Sequence, residues 1–444
     1  MARLTGAGAS YIGQLTDVLH CNLQESCRAS AGAMWSPGRR PARPGHPPGR
    51  VGGRRAGSGR VAAGEAGVVD VARLRECFAA VAVHGDELAL FFYSDLFLRH
   101  PEVRELFPVS MAAQRGHFTD ALIKIVAQAD RVEELTAFLE GLGRDHRKFG
   151  ALVGHYDAVG TSLLATLAHF AGPAWSPEVA ADWKQAYQLI GSVMSRAAVA
   201  DEGQRPAWWG GTVVGFERRG FDVCVLFVRP EPRLEYVPGQ SVAIECPARP
   251  RLWRYYSMAN APRPDGLLEF HIRMIDGGAV SMALTSEHIQ GTQLRLGPPV
   301  GALTLDRAAG RDLLLVAGST GLAPLKAILD QVAALDDPPK TDLFFGAVTA
   351  EGLYDLDALD KLAALHPWLA VTPVVSADPG AVGPGFTGQA GSLPEVVARC
   401  GDWTGREAYL AGPSGMVAET VTRLQAGGLG GAHIHVEDFG WSER

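Results

Sequence analysis

Apolar residues recur at helical spacing from Val69 to about Ala200, and glycine and proline fall mainly between the periodic segments. This pattern predicts six helices in an all-α domain. The helices cover residues 69–82, 85–99, 112–128, 131–148, 153–170 and 177–198. Asp86 precedes one apolar run and Ser176-Pro177 opens the last, which is chemistry typical of helix starts.

From Ala207 onward the apolar runs become short and rich in β-forming residues. Runs at 212–214, 223–228, 241–244 and 268–274 predict an antiparallel β-barrel that ends near Leu305. Beyond it, strands at 312–317, 342–345, 369–375 and 407–410 alternate with helices, beginning with 324–335. This alternation predicts an α/β doubly wound parallel sheet, so the fold class is multidomain.

The predicted domains are 65–203 (helical), 207–306 (barrel) and 307–444 (parallel sheet). Residues 1–64 stand apart, because 19 of the 24 residues from Pro37 to Arg60 are Pro, Gly or Arg, a composition that cannot bury a core. We interpret this basic segment as a disordered tail or a wrongly assigned start. The alternative is an arm that touches a membrane or nucleic acid.

Bulk composition narrows the class of protein. The net charge of −7 does not favour nucleic-acid binding by the folded part. The six cysteines are scattered, which indicates a reducing cytoplasm, and no apolar run approaches the length of about 20 residues that spans a bilayer. We therefore expect a cytoplasmic protein without stable membrane insertion and without a required partner protein.

Two glycine turns follow buried strands of the predicted parallel sheet. The first contains Gly318, Thr320, Gly321 and Pro324, and the second is Gly412-Pro413. Glycines after a strand and before a helix let a pyrophosphate approach the backbone, so the pair predicts a dinucleotide site.

The predicted barrel carries groups that suit a flavin. Arg254 offers a fork of donors to a phosphate, the Tyr256 ring can lie on an isoalloxazine, and the Ser257 hydroxyl can reach its polar edge. A second phosphate contact is predicted at 277–281, through Gly277, Gly278, Val280 and Ser281.

Residues 207–440 resemble the ferredoxin-reductase superfamily of FAD- and NAD(P)H-binding modules, through Arg-x-Tyr-Ser at 254–257 and the two nucleotide turns. The resemblance implies that Phe439 covers the flavin. The family's Cys-Gly-Pro is replaced by Ala411-Gly412-Pro413, which is expected to slow hydride transfer. No Lys or Arg occurs between Phe345 and Lys361 to hold a 2′-phosphate, which favours NADH, with NADPH possible.

In the helical region, His146 lies on an apolar helix stripe, where a histidine is either a core residue or a haem ligand. Tyr93 also lies on an apolar face, so its hydroxyl needs a buried partner, either an iron-bound gas or a backbone carbonyl.

Residues 69–199 resemble the globin domain of flavohaemoglobins, through Phe92-Tyr93, His100-Pro101-Glu102 to Phe107, and His146 followed by Tyr156. The resemblance implies haem b with His146 as the iron ligand and Tyr93 as the distal donor. It also implies that Tyr156 orients the imidazole and that Phe107 and Leu122 contact the haem.

Three departures surround that implied haem. Ala200 stands where family members often carry a glutamate, with Asp201 and Glu202 just beyond. Asp145 stands before the proximal histidine, where a basic residue is common. The distal position is left open among Gln114, His117 and Phe118.

The resemblance implies an NAD(P)H-dependent nitric oxide dioxygenase, in which FAD passes electrons to a haem that binds O₂ and converts nitric oxide to nitrate. The alternatives are an NADH-dependent quinone or peroxide reductase and a haem-based redox or oxygen sensor.

Overall fold

The computed structural model describes residues 69–306, 310–376 and 386–437. The predicted tail, residues 1–64, and Phe439 lie outside them. Within the described ranges, no helix combines the length and apolar character needed to cross a bilayer.

Six α-helices occupy the region where the apolar periodicity predicts them. They are α1 (Val71–Ala82), α2 (Asp86–Arg99), α3 (Ala112–Ala127), α4 (Val132–His146), α5 (Val153–Ala171) and α6 (Pro177–Glu202). A 3-10 turn, Pro101–Leu106, separates α2 from α3. The Ser176 hydroxyl accepts a hydrogen bond from the Val179 amide at 3.3 Å, so the predicted start of α6 is capped as its sequence indicates.

The chain divides into two compact units, and the division runs through the helices. The described part of the first unit comprises residues 69–98, 118–135 and 157–190. In it the Phe92 and Phe118 rings of α2 and α3 stack 4.2 Å apart. Arg73 of α1 pairs with Asp182 of α6 at 2.8 Å.

The second unit contains residues 99–117, 136–156 and the described chain from 191 onward. Its barrel strands are β1 (Trp209–Arg218), β2 (Val223–Glu231), β3 (Ser241–Glu245), β4 (Trp253–Ser257), β5 (Leu268–Arg273) and β6 (Gln293–Leu296), with the short helix α7 (Ala279–Leu284) after β5. The antiparallel order is β4-β3-β6-β1-β2-β5. A bridge between Met258 and Phe270 joins the two edge strands and closes the sheet.

The second sheet of this unit is parallel, in the order β10-β9-β8-β7-β11-β12. Its strands are β7 (Leu313–Gly318), β8 (Thr341–Ala347), β9 (Leu369–Val375), β10 (Gln389–Ala390), β11 (Glu407–Ala411) and β12 (Ile434–Val436). The helices between them are α8 (Leu322–Ala333), α9 (Leu356–Leu365), α10 (Leu393–Cys400) and α11 (Ser414–Ala426). The order reverses between β7 and β11, which is the switch point of a doubly wound sheet. The predicted fold class is confirmed.

A buried charged network, which we call the Lys326 cluster, joins the barrel to the parallel sheet. Lys326 of α8 contacts Glu269 of β5 at 2.7 Å and Asp355, before α9, at 3.2 Å. Arg219 also reaches Asp355, at 2.7 Å, and His271 Nε2 lies 2.9 Å from Glu269. Two carboxylates therefore face two permanent cations, which satisfies charges that burial would otherwise make costly.

Candidate functional site

The turns that follow β7 and β11 approach each other through their backbones. A Cβ on Gly321 would lie 2.3 Å from the Ala411 carbonyl oxygen. Gly412 has φ +140°, and a Cβ there would lie 2.8 Å from the Gly318 oxygen. Only glycine permits this approach. The two turns therefore form one backbone cradle at the switch point, which fits a nucleotide pyrophosphate.

The other residues predicted for these turns shape them. Thr320 lies in the 3-10 turn Ser319–Gly321, Pro324 is buried in the first turn of α8, and Pro413 immediately precedes α11. Arg273 Nη1 donates to the Ser319 hydroxyl at 3.2 Å. This cation is not predictable from the sequence, because it lies on β5 and no local motif connects it to the turn.

Strand β4 carries the predicted flavin contacts. Side chains alternate along a strand, so Arg254 and Tyr256 share one face. The Tyr256 ring packs against the barrel core, and burial raises the pKa of its hydroxyl. Arg254 Nη1 donates to the Trp253 carbonyl oxygen at 2.8 Å. Flavin binding by these two residues stays a prediction.

The described chain ends beside the same strand. The Glu437 amide donates to the Leu410 carbonyl at 3.1 Å, and its carboxylate accepts a hydrogen bond from the buried Ser257 hydroxyl. Phe439, which is predicted to cover the flavin, follows this contact by two positions and lies outside the described residues. The contact of Glu437 with Ser257 is likewise not predictable from the sequence, because the two residues are 180 positions apart.

The predicted phosphate turn before α7 is held by one hydroxyl. Ser281 Oγ donates to the Gly278 carbonyl at 3.1 Å and accepts from the Ile275 amide at 3.2 Å. Gly277 has φ +73°, and a Cβ on Gly278 would lie 2.5 Å from Ser281 Oγ. Val280 is buried in the barrel core, so only its backbone amide is suited to a phosphate.

The His146 imidazole is oriented by the backbone of its own helix. Its Nδ1 lies 2.7 Å from the Leu142 carbonyl oxygen, which can only accept, so Nδ1 carries the proton. Burial lowers the pKa of His146, against the opposing effect of Asp145, and keeps the ring neutral. The Nε2 lone pair is then available, which is the donor a haem iron takes from a proximal histidine.

Tyr93 lies among aromatic rings in the first unit. It is 5 % exposed, and its ring centroid is 5.7 Å from both Phe97 and Phe118. Of the three distal candidates, Phe118 therefore lies against Tyr93. Gln114 and His117 precede it on α3, and the choice of distal residue stays open.

Three other predicted haem-side residues lie on separate elements. Phe107 follows the 3-10 turn and is half-buried, and Leu122 is buried on α3. Tyr156, on α5, is half-buried, and burial raises the pKa of its hydroxyl, so it is a donor at neutral pH. Their contacts with haem remain predictions.

The end of α6 carries the position at which the resemblance implies a proximal glutamate. Ala200, which occupies that position in the sequence, is exposed. The neighbouring Asp201 is buried and accepts from Arg147 Nη1 and, at 2.7 Å, from Arg205 Nε. Its charge is therefore engaged by two guanidinium groups.

Comparison with known families assigns all three domains. The globin family profile matches residues 90–194, the oxidoreductase FAD-binding domain matches 223–305, and the oxidoreductase NAD-binding domain matches 315–422. A flavohemoprotein of Bordetella pertussis is 29% identical over 306 residues, covering 64% of this chain and 75% of that protein. The chain belongs to the flavohaemoglobin family. The flavohaemoglobin assignment makes the protein an oxidoreductase, and it confirms haem, FAD and nicotinamide dinucleotide as the cofactors.

One further sequence relative and one solved structure show how much of the chain is similar to known proteins. The reductase component of a naphthalene 1,2-dioxygenase system of Pseudomonas putida is 35% identical over 231 residues, covering 52% of this chain and 68% of that protein. A crystal structure of a flavohaemoglobin from Malassezia yamatoensis, with bound FAD and haem, has a TM-score of 0.70 at 16% identity. It covers 83% of this chain and 98% of that one, which shows a shared fold.

Proposed function

We propose that this flavohaemoglobin is a nitric oxide dioxygenase that uses NAD(P)H and O₂ to convert nitric oxide to nitrate. The cofactors, when bound, supply hydride acceptance, one-electron transfer and O₂ activation. The observation that carries the proposal is the Leu142 carbonyl at 2.7 Å from His146 Nδ1, because it leaves the Nε2 lone pair available to a haem iron.

Tyr93 is assigned the distal donor role. Its hydroxyl, in a buried aromatic environment, donates a hydrogen bond to the O₂ substrate, while Phe92, Phe97 and Phe118 exclude water around it. A donor in such a low-dielectric environment holds its polar ligand more strongly than it would in water.

The reductase residues have binding and orienting roles. Arg254 would hold a flavin phosphate, the Tyr256 ring would stack on the isoalloxazine, and the Ser257 hydroxyl, which pairs with Glu437, would orient its polar edge. The Gly318 and Gly412 turns, whose backbones approach each other, would hold the dinucleotide pyrophosphate. The absence of Lys and Arg from 346–360 favours NADH over NADPH.

A second candidate is an NADH-dependent reductase of quinones. The engagement of Asp201 by Arg147 and Arg205, together with the exposed Ala200, supports it. Without a glutamate at position 200 to complete the hydrogen-bond group of the proximal histidine, His146 would donate less electron density to a haem iron, and O–O chemistry should be less favoured.

The test is NADH-dependent removal of nitric oxide in air, measured with an electrode on protein whose absorption spectrum shows haem and flavin. Tyr93→Phe should lower turnover by about tenfold, because one buried hydrogen bond of about 1.4 kcal/mol is lost. Ser94→Ala, on the exposed face of the same helix, is the matched control and should match the wild type.

Equal turnover by Tyr93→Phe would remove Tyr93 from the distal role. A wild-type protein whose haem is reduced by NADH, but which leaves nitric oxide untouched, would contradict the dioxygenase. Rapid quinone reduction by that protein would then favour the second candidate, and slow turnover of every acceptor would favour a sensor.

A further inference from the structure

We propose that Lys148 is a positioning residue that locks the His146 segment onto the flavin-binding strand and thereby sets the rate of electron transfer from flavin to haem. The part that concerns electron transfer rests on the electron path of the proposed function.

Three side chains, which we call the Lys148 cluster, form a closed triangle. Lys148 Nζ lies 2.5 Å from Asp145 Oδ1 and 3.0 Å from the Tyr255 hydroxyl. The Tyr255 hydroxyl in turn donates to Asp145 Oδ1 at 2.9 Å. Each polar group of the triangle thus contacts the other two, which fixes their mutual geometry.

Burial separates this arrangement from a surface ion pair. The Lys148 side chain is 2% exposed. Its ammonium lies 4.8 to 5.7 Å from the centroids of three rings, those of Phe149, Trp253 and Tyr255. Cation–π contacts of this kind add to the ion pair when the charge is desolvated. A lysine held this way has little freedom to move, whereas exposed pairs fluctuate.

The Lys148 cluster connects two predicted cofactor sites along the chain. Lys148 follows His146 by two residues, and Tyr255 directly precedes Tyr256 on β4. Aromatic rings form a second connection between the same segments. Phe149 lies edge-on to His146 at 6.0 Å and to Trp253 at 6.3 Å. A displacement of β4 is therefore transmitted to the segment that carries the proximal histidine.

The test separates hydride transfer from electron transfer. Stopped-flow mixing of the anaerobic holoprotein with NADH, without nitric oxide, follows flavin bleaching first and haem reduction second. Lys148→Met should slow haem reduction by about tenfold or more, and Tyr255→Phe by about threefold, because small misplacements of redox partners have large effects on rate. Flavin bleaching and the KM for NADH should stay within about twofold. Lys184→Met, an exposed lysine of α6, is the charge-matched control.

A second readout does not depend on turnover. Amide hydrogen exchange of the holoprotein should accelerate in Lys148→Met at 146–150 and 253–257 together, and at neither segment in the control. Unchanged haem reduction in Lys148→Met would overturn the proposal, and so would equal slowing of both kinetic steps or faster exchange at only one segment. Failure of NADH to reduce haem in the wild type would contradict the proposed function instead, and the exchange experiment would still decide whether Lys148 locks the two segments.

Discussion

Two lysines of this flavohaemoglobin, the buried Lys148 and the half-buried Lys326, face different numbers of carboxylates. Lys148 has one partner, Asp145, whereas Lys326 has two, Glu269 and Asp355. Both ammonium groups are largely removed from water, since their side chains are 2% and 20% exposed. Their pKa values nevertheless shift in opposite directions.

The number of carboxylates explains the difference. Burial lowers the pKa of Lys148, and Asp145 opposes that effect without cancelling it. For Lys326 burial acts in the same direction, but Glu269 and Asp355 together outweigh it and raise the pKa. One carboxylate therefore leaves a buried ammonium under-compensated, and a second reverses the balance. The Lys148 cluster should accordingly be the more sensitive to loss of a single charge.

The largest effect is expected from Asp145→Asn. It removes the negative charge that compensates the buried Lys148 ammonium and leaves a neutral amide in its place, which should lower the free energy of unfolding by about 4 kcal/mol. Urea unfolding of the holoprotein, followed by far-UV circular dichroism, measures the change. The control is Asp357→Asn at an exposed position of α9, which should change stability by less than about 0.5 kcal/mol. A cost for Asp145→Asn below that of Glu269→Gln would break the comparison.

Acid should weaken the Lys326 cluster in two stages. Burial lowers the pKa of His271 from its ordinary value of 6.5. As the pH falls below 6.5, the unfolded chain therefore binds a proton that the folded chain does not, and the free energy of unfolding decreases. Burial alone would raise the pKa of Glu269, but His271 and Lys326 bring it down from 4.5 to about 2. The stabilisation from Glu269 is therefore complete above its unfolded value and is lost toward pH 2, by up to about 3 kcal/mol. Urea midpoints at pH 7, 5 and 3.5 would show the decline.

The smallest effect is expected from Glu269→Gln. Asp355 still pairs with Lys326, and glutamine can still accept from His271, so the loss at pH 7 should be about 2 kcal/mol. The gap between wild type and variant should narrow as the pH falls below 4.5, because the unfolded wild-type chain then takes up a proton at Glu269 that the folded chain does not bind. A gap that stays constant from pH 7 to 3.5 would place the acid sensitivity outside Glu269.

The secondary structure and the glycine turns were predictable from the sequence, whereas the pairing of distant side chains was not. The helices and strands follow from local periodicity, and α4 ends at His146, near the predicted end of its apolar run. The glycine turns were also predictable, because a strand, a glycine and a helix stand consecutively at Gly318–Leu322.

Contacts between distant positions were not predictable. Lys148 and Tyr255 are 107 residues apart, and neither stands in a motif that indicates the other. The sequence shows that Asp145 replaces the basic residue expected before His146, but it does not show that Tyr255 contacts this aspartate. That pairing depends on how the segment carrying His146 packs against β4. The Leu142 carbonyl is the exception, because a histidine ring in the last turn of a helix commonly bonds the carbonyl four residues before it.

The backbone contact between the turns after β7 and β11 has a consequence for sequence variation. A Cβ on Gly412 would strike the Gly318 backbone, and its φ of +140° disfavours any L-residue, whereas a Cβ on Gly415 meets no atom within 4 Å. The two glycines of Gly412-Pro413-Ser414-Gly415 therefore differ in tolerance. In a saturation library, position 412 should remain glycine while position 415 accepts small and helix-forming side chains. The same residue type, glycine, is therefore required at the first position of this segment and replaceable at the last.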